Sequence, residues 1–133
     1  MEPEEVAQEL YNLSLEFLKT SRGRINANTF IYSKRDIAKL YIRRSRRFVD
    51  NQIIIFFDVA SIDIKEHMQK KGILSNYLNL IEEKIPYPIL LENANNPYLF
   101  AHMLKRRNWE LREPNSFIYK EGKPWIISTH LYL

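Results

Sequence analysis

The chain reads as one mixed α/β domain, a mixed β-sheet flanked by helices on both faces. Three observations predict this. Residues 52–60 are apolar on both alternating faces: Ile53, Ile55, Phe57 and Val59 point one way, and Ile54, Phe56 and Ala60 the other. That pattern marks a central strand covered on both sides. Helical periodicity precedes this strand at residues 3–20 and follows it at 72–83. β-rich segments at 25–32 and 39–49 come before it, and strands and helices alternate after it, so the first half of the sheet is antiparallel. At 133 residues the whole chain, 1–133, fits a single domain with its own core.

The elements follow in order. Pro3 suits the first turn of a helix, and Glu4 and Glu5 suit its positive end. Val6, Leu10, Leu13 and Phe17 share one face of it, with Leu18 beside them, and Gly23 is placed to cap its end. Residues 25–32 and 39–49 are strands about a turn at 33–36. Asp50-Asn51 makes a tight connection to the central strand. In the helix at 72–83, Leu74, Tyr77, Leu78 and Ile81 form the buried stripe. Pro86 and Pro88 lead into a short strand at 89–92. Asn95 or Asn96 caps a further helix with Pro97 in its first turn. Leu99, Phe100, Met103 and Leu104 point inward from it, and Lys105, Arg106 and Arg107 lie near its negative end. Short strands at 109–112 and 117–120 follow, and residues 123–133 add another strand or pack on a partner.

Composition excludes several classes. There is no cysteine, which removes disulfides, thiolate metal sites and a thiol nucleophile. His67, His102 and His130 are far apart and form no metal-ligand spacing, so no metal is expected. No signal-peptide pattern or membrane-length apolar run is present, and the expectation is a soluble cytoplasmic protein without membrane contact. The net charge of +4 favours anionic ligands without specifying one.

The stretch Gln69-Lys70-Lys71-Gly72-Ile73-Leu74 places a glycine and two cations at a helix start. Unpaired N–H groups and partial positive charge there can hold a phosphate. On spacing alone, such a turn is more often a solvated cap. With the strand before it and the Asn-Pro helix after it, this stretch resembles the acetyl-CoA-binding core of the GNAT-superfamily N-acetyltransferases, whose loop reads Gln/Arg-x-x-Gly-x-Gly/Ala. Gln69 and Gly72 match, and Leu74 stands where the second small residue is usual. Residues 89–109 resemble that family's later strand, Asn-initiated helix and closing Gly-Phe, with Asn108-Trp109 at the last position. The likeness spans roughly residues 24–120.

The resemblance implies acyl transfer from acetyl-CoA, or another acyl-CoA, to an amine. Gln69, Lys70, Lys71, Gly72, Ile73 and Leu74 would hold the pyrophosphate, with Asn96 at the next helix start. Backbone groups of Val59, Ala60 and Ser61 would pair with the pantetheine arm and polarise the thioester. Asp58 and Glu92, at strand ends, are candidate bases, and equally ordinary salt-bridged carboxylates. His102 is a candidate acid in place of the family's tyrosine, or a histidine without a role. Arg43, Arg44, Arg46 and Arg47 form a second feature. Strand alternation puts Arg43 and Arg47 on one face and Arg44 and Arg46 on the other. They read either as a charged edge or as a surface for nucleic acid, an acidic acceptor or the CoA 3′-phosphate. Tyr41 and Phe48 beside them suit base stacking or the core. The acceptor is an amine on a small molecule, protein or nucleic acid. A homodimer is compatible with the sequence. A non-catalytic binding module is the alternative from a different class.

Overall fold

A computed structural model describes residues 2–24, 26–112 and 114–123. Within them the elements are α1 (Pro3–Thr20), β1 (Asn28–Tyr32), β2 (Ala38–Val49), β3 (Gln52–Ile64), α2 (Ile73–Lys84), β4 (Ile89–Leu91), α3 (Pro97–Lys105), β5 (Trp109–Arg112) and β6 (Ser116–Tyr119). One mixed sheet runs β1-β2-β3-β4-β6-β5. β3 and β4 pair in parallel, and the other neighbours are antiparallel. The mixed α/β class is therefore the one expected. No helix among the described residues is long and apolar enough to cross a membrane. The tail expectation, beyond Lys123, lies outside the described residues, as does Ile25 at the start of the first expected strand.

The β2–β3 hairpin organises the sheet. Asp50 and Asn51 both take positive φ, 51° and 64°, the backbone that a two-residue hairpin turn demands. The ladder then runs without interruption from Val49↔Gln52 to Ile42↔Val59, after which Tyr41 pairs with Ser61. Ala60 is thus an extra residue, a bulge in β3. Beyond it β3 continues to Ile64, four residues past the expected end. β4 pairs with β3 only from Phe57↔Ile89 to Val59↔Leu91.

Helix placement differs from the expectation of both faces. Buried residues of α1 (Val6, Leu10, Phe17), α2 (Tyr77, Leu78, Ile81) and α3 (Met103) join one cluster with Ile42, Phe57, Val59, Ile89, Leu91 and Phe117. Ring contact between Phe100 and Phe117, with centroids 5.4 Å apart, seats α3 on that face. The reason is topological. The steps from β3 to β4 and from β4 to β5 go the same way across the sheet. Right-handed crossovers then put both helices on one side. The opposite face carries a smaller cluster, Ile54, Phe56, Leu90 and Ile118. Leu104, expected inward, is 55% exposed, because the short α3 buries only a narrow stripe around Met103.

α1 and α2 are joined by a buried polar contact. Ser14 donates to the Leu10 carbonyl at 2.8 Å, and its oxygen lies 2.8 Å from the Tyr77 hydroxyl. Tyr77 therefore donates to Ser14. Removing only that donor, in Tyr77→Phe, is expected to cost about 1 kcal/mol in a denaturant titration, whereas Tyr77→Ala, which opens a cavity, costs about 3 kcal/mol or more. Equal losses in the two variants would show that the hydroxyl, not the ring, carries the contact.

Candidate functional site

A cleft of about 240 Å³ lies beyond the C-terminal ends of the parallel strands β3 and β4, between the N-termini of α2 and α3. In open α/β sheets this is where ligands collect, since strands end and helices begin there together. Ile62, Ile64 and Met68 give the cleft an apolar wall, and Gln69, Lys70, Gly72, Asn96, Tyr98 and His102 supply its polar lining.

The two helix ends differ. Gly72 is the N-cap of α2, with φ 93° and no side-chain cap. A left-handed φ at this point favours glycine over every other residue. No side chain caps the first turn, and Gly72, Ile73, Leu74 and Ser75 all line the cleft, so the partial positive charge of the helix start lies beside it. At α3 the Asn96 side chain accepts from Tyr98 N at 2.8 Å and Leu99 N at 3.3 Å, so those amides are already engaged. Asn96 lines the cleft but its carbonyl oxygen is committed to the cap.

The loop before α2 is tied down. Gln69 Nε2 donates to the Ile64 carbonyl at 2.8 Å, closing the end of β3. Lys70, itself at φ 62°, holds its ammonium 4.3 Å from the Tyr98 ring centre. This cation–aromatic contact spans the cleft from one helix start to the other. Lys71 is exposed and outside the lining, Ile73 is buried in the core, and Leu74 lines the wall. The Val59 carbonyl accepts from Glu92 N at 3.0 Å, and the Ala60 carbonyl from Asn93 Nδ2 at 2.8 Å. Ser61 follows the bulge, on the part of β3 that has outrun β4.

His102 lines the cleft from α3. Burial, and then the charge of Arg106, push its pKa below the usual histidine value. Its Nε2 is buried without a hydrogen-bond partner among the described residues. The side chain is therefore a neutral imidazole at pH 7, suited to accept a proton more than to give one.

Asp58 and Glu92 lie on the helix-free face, where β3 and β4 part. Asp58, fully buried, accepts from Arg43 Nε at 3.0 Å, and Arg47 Nη2 is 3.5 Å away. Arg47 also reaches Glu92 Oε1 at 2.9 Å, and Arg43 Nη2 donates to the same oxygen. Burial first, then the hydrogen bond to Glu92 and the Glu92 charge, raise the Asp58 pKa to about 8, against the pull of both arginines. Burial would raise Glu92 as well, but the bond from Asp58 and the two guanidinium groups hold it low. At neutral pH Asp58 therefore keeps its proton, and its Oδ1 is buried without a hydrogen-bond partner among the described residues.

This splits the arginine quartet. Arg43 and Arg47 clamp the carboxyl pair. Arg44, on the other face, is buried and donates to the Leu18 carbonyl at 2.8 Å and the Tyr87 hydroxyl at 2.6 Å. Arg46 follows Arg44 onto that face in register opposite Ile55. Phe48 is 70% exposed at the hairpin tip, whereas Tyr41 stacks on Phe30 with centroids 4.7 Å apart. Sequence reasoning missed the Lys70–Tyr98 contact and the role of Asn93, both set by tertiary packing. It also missed the Arg43–Asp58 pair, which counting back from the Asp50-Asn51 turn supplies. Among the described residues, no group of three metal-ligating side chains assembles.

The proton on Asp58 has a measurable consequence. A raised folded-state pKa gives stability that is complete below the unfolded carboxylate pKa, near about 4. It is lost as pH rises to about 8, at up to about 1.4 kcal/mol per pH unit. The low Glu92 pKa works in the opposite direction, at pH values below this window. Asp58→Asn keeps an acceptor for Arg43 and a donor for Glu92 and is expected to flatten the decline between pH 5 and 8, as followed by urea midpoints. An unchanged slope in the variant would assign the decline to other groups.

No family model, no curated protein and no solved structure matches this chain.

Proposed function

We propose that the cleft takes an acyl-CoA and that the chain transfers the acyl group to an amine. One observation carries the reading: β3 and β4 part at Val59 and Leu91, and the gap leads to an uncapped helix start at Gly72. Acyl-CoA chemistry suits each part of that arrangement. A pyrophosphate matches the free N–H groups of α2 and the Lys70 ammonium. An extended arm with amide groups matches the edge of β3 around Ile62, where β4 no longer pairs and before the Ile64 carbonyl that Gln69 takes. The resemblance of Gln69, Gly72 and the Asn96-Pro97 helix to the GNAT superfamily supports the same ligand.

In the reaction the amine nitrogen attacks the thioester carbon, the carbon–sulfur bond breaks, and the proton lost from nitrogen balances the one that the thiolate gains. His102, neutral and unpaired at Nε2, is the cleft side chain suited to carry that proton. The Asp58–Glu92 pair is a poor base at pH 7, because Asp58 already holds a proton and two arginines hold Glu92 in its ionised form. That observation favours a second reading, an acyl-CoA-binding module without turnover.

Calorimetry with acetyl-CoA and with CoA tests both. Binding is expected with each, weakened about tenfold or more by Lys70→Glu, which reverses a charge at the pyrophosphate site. His102→Ala is expected to leave binding intact and to abolish product formation on a panel of amines. Binding without turnover on any amine in the wild type selects the module. No heat with either ligand ends both readings.

A further inference from the structure

The outer edge of β1 has no strand on it among the described residues. Its hydrogen-bonding pattern follows from two flanking bonds, Arg44 N to the Ala27 carbonyl and Ser33 N to the Ala38 carbonyl. In an antiparallel ladder such closed pairs recur at every second residue. Thr29 and Ile31 therefore exchange their bonds with β2, and Asn28, Phe30 and Tyr32 turn their N–H and C=O groups outward. Among the described residues, the Phe30 carbonyl receives a 3.3 Å contact from the Thr29 hydroxyl.

Edge strands are ordinarily guarded by a lysine, a proline or a bulge. β1, Asn-Thr-Phe-Ile-Tyr, has none of these, carries no charge and is rich in β-forming residues. Phe30 and Tyr32 are 48% and 49% exposed. On the other side of the strand, a groove of about 360 Å³ runs between β1 and α1, with Glu16 and Arg24 both on its lining.

We propose that two copies of the chain join through β1, antiparallel about a two-fold axis at Phe30. This register places Phe30 opposite its own copy and Asn28 opposite Tyr32. It pairs every outward N–H with an outward C=O. Only an extended polypeptide offers that alternation, and β1 offers it to itself without an unmatched group. β1 carries no charge of its own, Lys39 of β2 lies over the Phe30 and Tyr32 rings at 4.8 and 5.8 Å from their centroids, and the aromatic side chains pair across the seam. A five-residue strand buries less than a standard interface, so the dimer is weak and concentration-dependent.

Sedimentation equilibrium over a concentration series tests this. The wild type is expected to show a monomer–dimer equilibrium. Phe30→Lys adds an edge guard without altering the backbone and is expected to raise the dimer dissociation constant about tenfold or more. Phe30→Pro removes one outward N–H while leaving the bonds to β2. It is expected to be monomeric with an unchanged far-ultraviolet circular dichroism spectrum. Should Phe30→Pro unfold, Phe30→Lys alone decides. A wild type that stays monomeric at the highest concentration, or a Phe30→Lys protein that dimerises as the wild type does, overturns the proposal.

Discussion

β3 is longer than β4, and most of the molecule follows from that mismatch. Its apolar faces are both buried, so it must be central, and it needs a neighbour on each side. β2 supplies one along nearly its whole length through the hairpin. β4 supplies the other for three residues only. Beyond Val59 the sheet has a free inner edge, and the chain that leaves β3 must cross over the helix face to return as β4. The cleft is the space this crossover leaves. Its apolar wall is the end of β3 that β4 leaves unpaired, and its polar lining comes from the starts of α2 and α3.

The same parting creates the electrostatic cluster on the opposite face. Asp58 sits at the last stretch where both neighbours pair, so its carboxyl is enclosed on both sides of β3. A lone buried carboxylate is costly. The fold offsets that cost twice, by a proton kept on Asp58 and by two arginines shared with Glu92. Such a pair fixes the geometry of the strand ends more than it adds stability, since desolvating several charges consumes much of their attraction. The carboxyls resemble catalytic candidates when read one at a time. Together with Arg43 and Arg47 they form a salt-bridged cluster on the helix-free face, while His102 lines the cleft on the opposite side.

The fold was largely legible in the sequence, and the site only partly so. α1 was readable to its ends because proline, acidic first-turn residues and an unbroken apolar stripe agree. The hairpin was readable because Asp50-Asn51 admits positive φ where few other pairs do. The cap of α3 was readable only as Asn95 or Asn96, and the structure places it at Asn96. What escaped were properties that depend on partners distant in sequence. The Ala60 bulge leaves no mark in an apolar run. The shared face of α2 and α3 follows from strand order, which periodicity does not encode. The arginines at 43, 44, 46 and 47 were correctly sorted onto two faces. Their fates, a carboxyl clamp on one face and a buried anchor on the other, depend on what lies across the sheet. At the cleft, Gln69, Lys70, Gly72, Asn96 and His102 do come together, whereas Lys71 does not join them.

Arg44 carries a consequence for how the chain reaches this state. Its guanidinium grips the Leu18 carbonyl, 26 positions earlier, and the Tyr87 hydroxyl, 43 positions later. Neither grip is local, and a charged head enclosed before both partners arrive would lack its hydrogen bonds. The docking of the first helix is thereby coupled to a segment made long after it. The guanidinium thus ties the seat of α1 to the segment that leads into β4.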